Sequence, residues 1–242
     1  MLRLTTFGGL TLLRGDVDLT GAATQRRRLA ILAILAVARQ RGVSRDRLLA
    51  YLWPESDMTR ARHVLNQLLS AQRRLTGEQR LFVGGKTLRL NPALIGSDVA
   101  EFDDAIDAGR LELAVSLHAG PFLDGFFVSE APEFERWVDE QRSRLTRRCL
   151  GALLALAGAA GTDERQALAW RRRAFELDPL DSETTFRLVD AMARCGHRAA
   201  ALRLALAHEA ALRRDLGIGP DERIRALASR LREATASDRD ES

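Results

Sequence analysis

Cysteine is nearly absent from these 242 residues. The two present, Cys149 and Cys195, stand far apart and form no Cys-x-x-Cys pair, which excludes a disulfide framework and a zinc site. Both read as reduced core thiols. Long hydrophobic runs are also missing: no stretch approaches the roughly 18 apolar residues that a membrane span needs. Residues 1–9 lack the basic region and apolar core of a secretory signal, so the cytoplasm is the expected address. Histidine is scarce, and His63, His118, His197 and His208 share no metal spacing. The acid pairs Asp103 with Asp104 and Glu130 with Glu133 have no nucleophile or base beside them. Nothing assembles an active site, so no enzyme activity, cofactor or metal is expected.

What is present is enough for one large domain or two ordinary ones, with 46% apolar and 29% charged residues. The net charge of +4 conceals an asymmetry. Residues 1–97 carry 16 basic and 6 acidic side chains, net +10, whereas residues 98–242 carry 21 and 27, net −6. Such segregation suggests that one half meets a polyanion and the other a different partner. Lys86 is the single lysine. Arginine suits bidentate phosphate and guanine contacts, but genome composition can produce the same bias, so the sign of the charge carries the argument and the choice of residue does not.

Leu2, Leu4, Phe7, Leu10, Leu12 and Val17, broken by Gly8-Gly9 and Gly15-Asp16, predict two or three short antiparallel strands. A helix is predicted from Thr24 to Gly42, opening with Arg26, Arg27 and Arg28, then a short one over 46–53 stopped by Pro54, and a third over 58–75. Residues 81–83 and 87–90 flank Gly84-Gly85-Lys86 as a hairpin. Past Asp98 only helices follow, over 102–108, 111–117, 134–160, 164–177, 182–195, 198–216 and 222–234. Ala167, Ala174 and Pro179, then Gly196 and Ala201, keep a degenerate 34-residue, tetratricopeptide-like rhythm. Residues 237–242 are expected to be a disordered tail.

On a wheel of 100° per residue, the third helix places Ala61, Val64, Leu65, Leu68 and Leu75 on one side, and Arg62, His63, Asn66, Gln67, Ser70, Arg73 and Arg74 on the other. The second set contains no acid and supplies the side chains that bond base edges and phosphates. An ordinary solvated face has the same composition. The order short helix, basic helix, basic-tipped hairpin is that of a winged helix-turn-helix, and it favours DNA recognition. Gly85-Lys86-Thr87 mimics the close of a Walker motif, but Arg80 stands where the motif needs glycine and Leu88 to Pro92 cannot open a helix. Lys86 is instead a candidate for a phosphate or minor-groove contact, or a solvated turn residue.

Leu48 to Pro54, Ala61 to Arg74, Leu88 to Pro92 leading into Asp98 and Phe102, Gly120 to Phe126, Glu135 to Trp137, Ala174 to Pro179 and Leu216 to Pro220 together resemble the Streptomyces antibiotic regulatory protein family over nearly the whole chain. The resemblance implies an OmpR-type winged helix followed by a bacterial transcriptional activator domain. It also implies an activator that binds repeated sites in double-stranded promoter DNA, as a homodimer or side by side, and contacts RNA polymerase. Members usually carry leucine before the arginine pair of the third helix, where this chain has Gln72. The wheel puts that amide on the core side, where it needs a partner or a displaced last turn. The expected fold is therefore mainly α with a small β part: a winged helix-turn-helix over residues 1–97, then an all-α tetratricopeptide-like helical repeat domain over 98–236. DNA-binding candidates are the seven polar residues of the third helix, Lys86, and Arg26, Arg27 and Arg28. The rival reading is a protein-interaction scaffold whose winged helix does not read DNA.

Overall fold

The computed structural model describes residues 1–20, 26–159 and 161–240, with side chains up to residue 233. The chain forms two compact units, Met1–Cys149 and Leu150–Ser242.

The first unit opens with β1 (Leu2–Thr5), β2 (Thr11–Arg14) and β3 (Val17–Asp18), antiparallel as expected. Leu4 lies opposite Leu12, and both are fully buried. A fourth strand, β7 (Ile95–Ser97), pairs parallel to β1 and completes the order β3-β2-β1-β7. Three residues containing a glycine show no alternation, so this strand left no local signal.

Between β3 and β7 lies the winged helix-turn-helix. α1 (Arg26–Ala38) is buried continuously from Arg28 to Ala36, because ten apolar residues in a row, Leu29 to Ala38, cover every side. Thr24, given as its start, lies outside the described residues. The helix stops short of Gly42: a 3-10 turn, Arg39–Arg41, follows, and Gly42 at φ 66° has no room for a Cβ, which would sit 2.5 Å from the Leu88 carbonyl oxygen. β4 (Val43–Ser44) leads into α2 (Arg45–Leu52), capped by the Ser44 hydroxyl, which accepts the Arg47 N–H. α3 (Met58–Thr76) begins at Asp57, whose Oδ1 accepts the N–H groups of Thr59 and Arg60, and ends at left-handed Gly77. β5 (Phe82–Val83) and β6 (Thr87–Leu90) make the wing, and β6 is the centre of a β4-β6-β5 sheet.

α4 (Asp98–Asp107) starts four residues earlier than its apolar pattern suggested, since the Ser97 side chain caps it. The boundary drawn by charge at 97/98 thus falls between a strand and a helix of one compact unit. α5 (Leu111–Leu117) follows, and after a long loop α6 (Pro132–Gly158) begins. Ala160, the expected end of α6, lies outside the described residues. Asp103, buried on α4, receives both Nη groups of Arg144 at 3.0 Å and Nη1 of Arg148 at 2.6 Å, locking α6 onto α4. Trp137 is buried among Phe122, Phe134 and Tyr51, with ring centroids 5.6 to 5.9 Å apart.

The second unit is all helical: the end of α6, then α7 (Glu164–Leu177), α8 (Ser182–Arg194), α9 (Arg198–Leu216) and α10 (Glu222–Asp240). Ala167, Ala174 and Ala201, the small residues of the repeat rhythm, are all buried. Asp163 and Asp181 cap α7 and α8, and Gly217 ends α9 in the left-handed region. Leu188, Met192, Ala205, Ile224 and Leu227 form the core. Trp170 is only half-buried, and so is Cys195, whereas Cys149 is buried. α10 runs to Asp240, so the tail expected from Ser237 is helical over its first four residues, there being no glycine or proline to stop it. Residues 241–242 lie outside the described residues.

Among the described residues no helix is long and apolar enough to cross a membrane, and no three histidine, cysteine or carboxylate side chains cluster as metal ligands.

Candidate nucleic-acid interface

The buried seam of α3 is Ala61, Leu65, Leu69, Gln72 and Thr76. This corrects the wheel on the core side: Leu75 is exposed, and Leu69, not Leu75, continues the core face. The opposite face is the expected one apart from Arg73. Arg62, His63, Asn66, Gln67 and Arg74 are exposed and Ser70 is half-buried; His63, Asn66, Gln67, Ser70 and Arg74 line one shallow hollow.

Three contacts organise this face. The Gln67 amide lies 2.9 Å from the His63 ring, one turn back. Arg62 Nη2 donates to Asp46 on α2 at 3.3 Å. Arg45, the first residue of α2, donates through Nη1 to Asn66 Oδ1 at 2.9 Å and through Nε to the Gly85 carbonyl at 2.8 Å, while its own N–H donates to the Lys86 carbonyl. One guanidinium therefore ties α3 to the wing. It also fixes the Asn66 amide: with Oδ1 accepting from Arg45, the two Nδ2–H donors and a second Oδ1 lone pair remain, the set that reads an adenine edge. Arg45 was missed from sequence because a single residue at a helix start has no periodicity; the serine cap before it was the available signal.

Lys86 is exposed at the wing tip. Gly84, at φ 94°, would place a Cβ 2.1 Å from the Thr87 carbonyl oxygen, so only glycine allows this turn. Arg73 departs from expectation. It is half-buried, with its guanidinium 5.7 Å from the Phe82 ring centroid, so it packs on β5 rather than standing with the exposed set.

The arginines opening α1 are engaged elsewhere. Arg26 donates to the Phe127 carbonyl and lies 4.2 Å from that ring centroid. Arg27 donates to the Leu52 and Ser129 carbonyls and lies over Trp53. Arg28 is buried, and burial pushes its guanidinium below the ordinary arginine range. The partners of Arg26 and Arg27 lie at the end of α2 and in the 126–129 loop, not on α3 or the wing. Their aromatic and carbonyl partners in the 126–129 loop stand about a hundred residues away in sequence, where no local pattern could announce them.

The family described as bacterial transcriptional activator domain matches residues 97–232. A solved structure, Mycobacterium tuberculosis EmbR in complex with a low affinity phosphopeptide, is similar at 21% identity and a TM-score of 0.65. The match covers 96% of this chain and 65% of that one. At this identity the likeness is one of fold. No curated protein matches the chain.

Proposed function

The chain belongs to the bacterial transcriptional activator domain family, and from that premise we propose that it is a sequence-specific DNA-binding transcription regulator of the Streptomyces antibiotic regulatory protein type. It acts as an activator. α3 enters the major groove, Asn66, Gln67 and Arg62 meet base edges, and Arg74 and Lys86 meet phosphates. The observation that carries this reading is the exposed face of α3, free of acids and held against a glycine-built wing by Arg45. A scaffold with no nucleic-acid partner has no need of a guanidinium that orients a single exposed amide. Two copies side by side on a repeated site would double the contacts, and the helices after residue 98, net −6, would remain available to RNA polymerase. Footprinting the full chain on upstream DNA, followed by transcription in vitro on the protected promoter, tests both halves of the proposal. Protection of repeated sites with added transcript is expected; protection without added transcript would remove the activator role, and no protection would remove the DNA-binding role.

A further inference from the structure

A cleft of about 520 Å³ opens within the first unit, lined by the end of α1, the turn after it, β4, α2 and α6. Clefts of roughly 300–1,000 Å³ hold small molecules when a few polar groups converge on an apolar wall. Ile34 and Val37 supply such a wall, and Tyr51 and Trp137 add two aromatic rings with centroids 5.9 Å apart. The polar groups are Arg41, Arg47, Gln141 and Arg144.

Charge decides what fits. No aspartate or glutamate lines the cleft. Arg144 is already neutralised by Asp103, and its Nε donates to Gln141. Arg41 and Arg47 have no carboxylate partner among the described residues; Arg47 instead donates Nε to the Tyr51 hydroxyl at 2.8 Å and leaves its Nη groups over. Two guanidiniums without an ion-pair partner beside an aromatic and aliphatic wall match a ligand that is anionic at one end and flat and apolar at the other. A DNA phosphate would use the charge but not the apolar wall beside it.

We propose that this cleft binds a small aromatic carboxylate, its ring among Tyr51, Trp137 and the aliphatic wall and its carboxylate between Arg41 and Arg47. The site stands independently of the DNA-binding reading, because it shares no residue with the exposed face of α3.

Isothermal titration of the full chain with 2-naphthoate, and with neutral 2-naphthamide of the same shape, tests it. One saturable naphthoate site per chain is expected, with naphthamide at least about tenfold weaker, since the loss of one charge-assisted pair reaches that size. Arg41→Ala and Arg47→Ala are each expected to weaken naphthoate about tenfold. Arg47→Lys, which keeps the charge but not the fork, should fall between, and the exposed Arg80→Ala should change nothing. Arg41 is itself exposed, so its variant stays informative should changes at Arg47 disturb α2. Absence of saturable binding, equal binding of the amide, or unchanged binding in Arg41→Ala would overturn the proposal.

Discussion

The carboxylate of Asp98 accepts the backbone N–H of Thr6 at 2.7 and 2.9 Å, together with the Thr6 hydroxyl and the N–H of Phe7. Both residues are buried, and 92 positions separate them. The first residue of α4 therefore satisfies the end of β1, and the winged helix is not closed at residue 97. A fragment of residues 1–97 should unfold non-cooperatively, whereas residues 1–149 should unfold in one transition. In the full chain, Asp98→Ala strands buried donors and should cost at least about 2 kcal/mol in urea denaturation. An unchanged midpoint would contradict this.

Gln72 is fully buried, and neither its Oε1 nor its Nε2 has a hydrogen-bond partner among the described residues. Neither outcome expected from the sequence is found: the amide has no partner among the described residues, and the helix runs on regularly to Thr76 with Gln72 in its buried seam. Gln72→Leu should stabilise the chain by about 1–3 kcal/mol, read from the denaturation midpoint, because it removes that desolvation cost and adds apolar contact. DNA affinity at matched folded concentration should not change.

Asn66→Ala should cost about 1–3 kcal/mol at the preferred DNA site and relax preference at one base. Arg45→Ala should produce much of the same loss through Asn66, so the double variant should fall short of additivity by at least about 0.5 kcal/mol. Strict additivity in binding titrations would show that Arg45 does not position Asn66. Arg73→Ala, by contrast, should lower stability more than sequence preference, given its place on Phe82.

Hydrogen bonds from Arg39 and then Arg148 hold the Asp107 carboxyl below the usual carboxylate range. A depressed folded value stabilises the native state above the unfolded value of about 3.9, and that stability is lost as pH falls through the folded value. Asp107→Asn should lower stability at neutral pH and flatten the acid limb, its profile converging on that of the parent chain as pH falls below about 4. Because the side chain is half-exposed, the effect should be modest and should shrink in salt.

The parts of this fold visible in the sequence are those with a local period. The two faces of α3, the glycine wing and the small residues Ala167, Ala174 and Ala201 all recur at helix or turn spacing. The wheel slipped at Leu75 because a fixed 100° step drifts over about four turns, whereas the buried seam steps by 4, 4, 3 and 4 from Ala61 to Thr76. What stayed hidden depends on long separations: β7 beside β1, Asp98 beneath Thr6, and the 126–129 loop that occupies Arg26 and Arg27. A count of basic residues at the start of α1 registers charge, but not the carbonyls and rings that already hold it.

The central claim, that the exposed face of α3 reads DNA, is tested most directly by selection of the full chain against a random duplex library, followed by titration of the enriched site across salt. The account predicts enrichment of a repeated motif whose binding weakens by about 0.9 log unit per log unit of salt for each phosphate neutralised, with Lys86→Ala lowering that slope by about one contact. A library that emerges unenriched, or binding that is indifferent to salt, would contradict it.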